Sequence, residues 1–339
     1  MTNLRDYTYE ELEDIIFSLN EKKFRAKQIY EWLYKGVSSF DEMNNVPSAL
    51  KEKLSALYYI NPCVIVKKLE SKLDKTKKYL FKLYDGNMVE SVAMYYKHGI
   101  TICISSQVGC AMGCKFCAST IGGLIRSLTP GEILDQVLYV QKDIGERISN
   151  IVMMGIGEPL ANFDNVVKFL KLVNDARGIN IGYRHISLST CGIVPKIYDL
   201  AKLKLPITLS VSLHSPDNNS RSAIMPINNK YSIPELIEAC KSYQDICSRR
   251  ISFEYAIIKD VNDTIQDAQK LTALLKGIMC HVNIIPVNKV EENSFQKPSA
   301  EKISRFCQYL EAKGITATVR RELGSDINAS CGQLRKNNL

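Results

Sequence analysis

From residue 100 to its end the chain alternates short apolar runs of β character with amphipathic helical stretches, and this rhythm constrains the fold more than any other feature. Strands are expected at 100–105, 150–154, 185–189, 207–213, 251–258 and 281–285. Helices near 130–143, 163–176, 193–203, 232–248, 264–277 and 299–313 separate or follow them. Strand–helix alternation with short connections gives a parallel sheet with right-handed crossovers. Six such units are too few for a closed eight-stranded barrel. The expectation is therefore an α/β chain built on an open, partial (β/α)6 barrel, with a last strand near 316–320. Upstream, residues 8 to about 58 read as helical, Thr8 preceding the acidic first turn Glu10-Glu-Leu-Glu and Pro47-Ser48 opening a later helix. Two β-rich runs at 79–84 and 88–94 flank Asp85-Gly86, a hairpin signal. The division expected is a small N-terminal helical domain at 1–62, a linking β-hairpin segment at 63–99 and the barrel with its tail at 100–339.

Three cysteines follow the first barrel strand as C-x3-C-x2-C: Cys110, Cys114 and Cys117 in Gly109-Cys-Ala-Met-Gly-Cys-Lys-Phe-Cys-Ala118. Thiolates at this spacing can hold three irons of a [4Fe–4S] cluster on one short loop and leave the fourth iron open for a small molecule. Clusters with four cysteine ligands have every iron saturated. Structural zinc takes four ligands, commonly from paired C-x2-C units. No second pair follows here, and the nearest histidine, His98, precedes the loop.

In parallel βα folds the functional site gathers at the C-terminal ends of the strands. The cysteine loop follows the first strand, Gly155-Ile-Gly-Glu158-Pro159 the second, and Ser189-Thr190 ends the third. Ser212-Leu-His214-Ser-Pro216 ends the fourth, and Asn288 lies just past the sixth. Five polar sets in register at one barrel mouth point to a cofactor site.

The formal charge of +8, from 44 Lys plus Arg against 36 Asp plus Glu, is compatible with a nucleic-acid partner and equally with a mildly basic soluble surface. Lysines at 67, 68, 72, 75, 77 and 78 crowd the hairpin, where they also blunt a sheet edge. Arg249-Arg250, Arg320-Arg321 and Arg335-Lys336 are further basic pairs. Eleven cysteines form no disulfide framework, the N-terminus carries no signal-peptide pattern, and no apolar run spans a membrane. A reducing, cytoplasmic setting is expected.

The order of strand, C-x3-C-x2-C loop and Gly-Glu-Pro segment resembles the radical S-adenosylmethionine (SAM) enzymes, in which Gly155, Gly157 and Glu158 match the segment holding the methionine amino group. Within that superfamily the chain is similar to the RlmN/Cfr family of RNA adenine methyltransferases. The likeness lies in Arg320-Arg-Glu-Leu-Gly-Ser-Asp326-Ile-Asn-Ala-Ser-Cys331-Gly-Gln-Leu334, in Thr101-Ile-Cys103-Ile-Ser-Ser-Gln-Val-Gly109, in Leu128-Thr-Pro-Gly-Glu-Ile-Leu134 and in Arg221-Ser-Ala-Ile-Met-Pro-Ile-Asn228. It covers nearly the whole chain. Pro159 after Glu158, and the segment 324–329, lean towards the branch that methylates adenine C2 in 23S rRNA and tRNA. The alternative is the Cfr branch, which methylates C8 and confers antibiotic resistance.

The resemblance implies a mechanism. Adenine C2 is electron-poor and offers no lone pair to an electrophilic methyl group. The family moves a methyl group from one SAM to a cysteine thiolate, by position Cys331. A second SAM, bound to the cluster on Cys110, Cys114 and Cys117, is cleaved reductively, and a methylene radical on Cys331 adds to the base. Glu90 matches the family's proton acceptor, and Cys103 the cysteine that resolves the adduct through a transient disulfide. Without the resemblance Glu90 reads as a solvent-facing strand residue and Cys103 as a buried apolar thiol. SAM contacts carried over by position are Gly157, Glu158, Ser189, Ser212, Leu213, His214 and Asn288. Cys63, Cys191, Cys240, Cys247, Cys280 and Cys307 have no functional counterpart and are expected to be inert. An external donor such as a flavodoxin or ferredoxin, a monomeric state and no membrane partner complete the expectation.

Overall fold

The computed structural model describes residues 1–60 and 63–335. The domain boundary expected at 62 and the basic residue Lys336 lie outside the described residues. Strands β1 (Thr2–Asn3) and β2 (Tyr58–Tyr59) pair in parallel and close the N-terminal segment around helices α1 (Tyr9–Ser18), α2 (Phe24–Tyr34) and α3 (Ser48–Leu57). Thr8 starts α1 with a capping box to Glu11, satisfying two otherwise orphaned backbone donors. The apolar faces of these helices meet in their own core, with Leu12, Ile16, Ile29, Leu50 and Leu54 fully buried.

The next strands are β3 (Val64–Glu70), β4 (Lys77–Lys82) and β5 (Met88–Tyr96). They form more than a linking hairpin: they pair antiparallel in sequence and β5 pairs on to β6 (Gly99–Cys103), the first barrel strand. The barrel continues through α4 (Pro130–Ile144), β9 (Ile148–Met153), α5 (Phe163–Asn174), β10 (Ile186–Thr190), α6 (Val194–Lys202) and β11 (Thr208–Ser212). Then come α7 (Asn218–Ile224), α8 (Ile233–Cys247), β12 (Ile251–Ile257), α9 (Ile265–Leu275), β13 (Cys280–Pro286), α10 (Ala300–Ala312) and β14 (Ala317–Val319). A short antiparallel pair, β7 (Gln107–Gly109) and β8 (Leu124–Ser127), brackets the cysteine loop. The main sheet runs in the order β14-β13-β12-β11-β10-β9-β6-β5-β4-β3, so it is an open, ten-stranded sheet whose barrel portion is parallel. The expected open barrel is present.

Period-two alternation along the strands sorts residues between two faces. Leu209 and Val211, Phe253 and Tyr255, and Val282 and Ile284 are fully buried in the main core together with Leu236, Leu271 and Phe306 of the surrounding helices. The intervening Ser210, Ser252, Glu254, His281 and Asn283 face the barrel interior and line a cavity there. Arg5, buried against Asp135 of α4, joins the N-terminal helices to the barrel and also donates to the Val37 carbonyl. No helix among the described residues is long and apolar enough to cross a membrane.

Candidate active site

The loop carrying Cys110, Cys114 and Cys117 leaves β7 at Gly109, whose φ of +75° and close approach to the Gly123 carbonyl admit no side chain. The three cysteines form one wall of a cavity of about 150 Å³ at the C-terminal ends of the strands. Burial pushes the Cys110 thiol up to about 12, and raises Cys114 and Cys117, with neighbouring cysteines adding to Cys110 and Cys114. Three mutually felt, water-poor thiols are costly to ionise alone, and a cationic iron–sulfur group offsets that cost. No three His, Cys, Asp or Glu side chains among the described residues gather as a single metal ion requires. Cluster ligands bond separate irons and need not converge on one point, so the donor set fits a cluster.

The opposite wall comes from the strand ends. Gly157, at φ +105°, packs against Gln107 so closely that a Cβ would lie 2.6 Å from the Gln107 Cβ. That contact turns the chain and buries Glu158, whose Oε1 accepts from the Leu160 amide at 3.0 Å and Oε2 from the Cys191 amide at 2.7 Å. Burial raises the Glu158 carboxyl from its ordinary range, and these bonds partly offset the rise. Ser189, Ser212, His214 and Asn288 also line the cavity. His214 sits at φ +56°, its Nδ1 accepting from the Ala256 amide at 2.8 Å, so its other ring nitrogen carries the proton of the neutral form. Leu213, expected among the SAM contacts, does not line the cavity: its side chain is buried in the core, and its carbonyl accepts from Arg221 Nε at 3.0 Å. Arg221, fully buried, also binds the Ser212 and Cys191 carbonyls and Asn228, locking the turn that presents His214.

Cys331 reaches this cavity from the C-terminal tail. Its carbonyl accepts from Asn288 Nδ2 at 2.8 Å, and the Ala118 amide donates to the Gly332 carbonyl at 2.8 Å, fastening the tail to the cysteine loop. Cys331 also lines a second cavity of about 40 Å³, together with Cys103, Met94 and Leu334. The Cys103 thiol is pushed up to about 12 by burial and by Cys331. Glu90 lines neither cavity. It is 1% exposed rather than solvent-facing, paired with Lys78 and accepting from the Arg335 amide at 2.8 Å.

Sequence reasoning missed several members. Arg320 lines both cavities, and Cys331 is the neighbour that most raises its guanidinium. Its place in the quoted tail segment was the available signal. Cys191, expected to be inert, sits in the cavity wall and holds Glu158 through its amide. Lys78 gave no signal beyond its membership of a basic run.

A family model described as the radical SAM superfamily matches residues 104–272, and one described as the ribosomal RNA large subunit methyltransferase N-terminal domain matches residues 2–60. A probable dual-specificity RNA methyltransferase RlmN of Clostridium acetobutylicum is 56% identical over 337 residues, covering 99% of this chain and 98% of that protein. The protein of the same description from Clostridioides difficile is 54% identical over 333 residues, covering 98% and 97%. The crystal structure of a radical SAM methyltransferase from Sphaerobacter thermophilus superposes with a TM-score of 0.95 at 41% identity, covering 99% of this chain and all of that one. Likeness of this depth runs through the cysteine loop, the barrel and the tail alike, and the chain belongs to the RlmN family of radical SAM methyltransferases.

Proposed function

We propose that this enzyme methylates C2 of an adenosine in 23S rRNA, and the adenosine 3′ of the anticodon in tRNA, by way of a methylated Cys331. The observation that carries the reading is the position of Cys331 in the wall shared by the cofactor cavity and the cavity containing Cys103. A residue that takes a methyl group on one side and delivers a carbon on the other must face both.

Cys110, Cys114 and Cys117 would hold a [4Fe–4S] cluster, which together with SAM supplies the methyl group and the one-electron cleavage that generates a radical. Gly157, Glu158, Ser189, Ser212, His214 and Asn288 line the space in which SAM is held. Arg320 stands with Cys331 in both cavities, and the Cys331 sulfur is the nucleophile that accepts the methyl group. Glu90 takes the C2 proton of the RNA adduct. Cys103 attacks the Cys331 sulfur, forming an S–S bond as the S–C bond breaks, and the bonding pair and the thiol proton end on the product carbon, which becomes the methyl group. Glu90 reaches the adduct only after the Arg335 amide leaves it, so the tail shifts during turnover. A low-potential flavodoxin or ferredoxin supplies the electron.

The test is anaerobic turnover with reconstituted cluster, SAM, reductant and a 23S rRNA fragment, followed by nucleoside mass spectrometry. 2-Methyladenosine that disappears on Cys331→Ala supports the reading. 8-Methyladenosine moves the enzyme to the Cfr branch, and SAM cleavage without any methylated adenosine removes the RNA substrate.

A further inference from the structure

The inward faces of the barrel strands are polar well beyond the cofactor cavity. Ser187, Ser210, Ser252 and Asn283 line a third cavity of about 510 Å³. In a closed parallel barrel such positions hold stacked Val, Ile and Leu side chains. Hydroxyls and amides do not make an apolar core, so this space is a lumen. Arg249 and Arg250 stand in its wall immediately before β12, placing it towards the N-terminal ends of the strands, away from the cysteines.

The lumen adjoins the site. Met154 and Arg320 border all three cavities, and Tyr96 and Arg321 are shared by the lumen and the Cys103–Cys331 cavity. Its charge is unbalanced. Arg320 has Glu254 at 3.8 Å, but no ion pair among the described residues engages Arg249, Arg250 or Arg321. Arg249 Nε and His281 Nδ1 are buried without a hydrogen-bond partner. Native structures rarely leave such groups unmet, and those that are unmet call for an explanation. At the rim the Tyr96 and His98 rings stack, with centroids 5.1 Å apart and planes at 13°, offering an aromatic face to a neighbouring base.

We propose that this lumen binds the single-stranded nucleotides flanking the target adenosine, their phosphodiesters against Arg249, Arg250 and Arg321, so that the base reaches Cys331 from the far end of the barrel. The proposal rests on the RNA reading above and names a binding site within it. Unpaired guanidinium groups attract phosphates, and sequence-specific RNA recognition favours unstacked strands.

Methylation of the 23S rRNA fragment at a series of salt concentrations tests it, comparing the wild type with Arg249→Gln/Arg250→Gln and Arg249→Lys/Arg250→Lys. The glutamine pair should raise KM for RNA by roughly tenfold or more, from the loss of charged hydrogen bonds, while kcat stays near the wild-type value. The slope of log kcat/KM against log salt should become shallower by about 1.4 for two lost single-strand contacts. The lysine pair should restore that slope. Wild-type KM and slope in the glutamine pair overturn the lumen assignment. If the glutamine pair fails to retain its cluster absorbance, Arg321→Gln is read by the same criteria. A wild type that methylates no RNA overturns the functional reading instead.

Discussion

Lys78 on β4 and Glu90 on β5 form a 2.8 Å ion pair sealed from solvent, their side chains 5% and 1% exposed. Lys78 also donates to the Asn328 carbonyl at 3.1 Å, so the pair bonds the tail at two points, through Lys78 and through the Arg335 amide on Glu90. Removing one member of a buried pair strands the other and costs about 3–5 kcal/mol. Lys78→Met should lower the unfolding free energy by roughly that amount in urea titrations. Without Lys78, Glu90 loses the ion pair that holds its carboxylate in place beside the tail, where it takes the adduct proton. The same variant should therefore accumulate RNA covalently joined to protein, visible as a shifted band on a denaturing gel.

Cys103→Ala removes the group that shares a cavity with Cys331. Product release should stop after adduct formation, giving the same shifted band without the loss of stability. Nuclease digestion and mass spectrometry of the Cys331 peptide would locate the bond. A variant that turns over normally would exclude Cys103 as the resolving thiol.

Gly157→Ala forces a Cβ to within 2.6 Å of Gln107 at a φ of +105°. Strain of this kind costs of order 1–3 kcal/mol, so SAM affinity should fall by roughly tenfold or more as Glu158 is displaced. Equilibrium dialysis measures the affinity, and iron content should remain at the wild-type level.

His214 is held down to about 3, first by burial and then by Arg221. An unfolded imidazole titrates near 6.5. Between about pH 6.5 and 3 the unfolded chain takes up a proton that the folded chain refuses, so acid destabilises the fold through this residue and pH above that window has no effect through it. Urea midpoints of the cluster-free chain should fall more steeply from pH 7 to 5 in the wild type than in His214→Gln. Parallel curves would show that His214 does not titrate as placed.

The barrel was legible because its signals are local: strand and helix periods, turn residues, and cysteines spaced along one loop. The residues at the mouth were legible in part because strand ends converge in any parallel barrel. Lys78 was not, because its partner depends on the register that sets Leu80 opposite Glu90 and Lys78 opposite Val92, two strands that sequence presents only as a hairpin. The attachment of β5 to β6 was hidden for the same reason. Arg221 and Cys191 act through backbone groups distant in sequence, which no local pattern announces.

The two faces of β12 answer to different demands. Phe253 and Tyr255 are held by the helices, whereas Ser252 and Glu254 belong to the interior. A saturation scan along this strand should therefore read as a two-colour ladder, with expression level falling at odd positions and turnover at even ones. The fold keeps its scaffold and its chemistry on alternate rungs, so the inner rungs are open to change of specificity while the outer ones remain fixed.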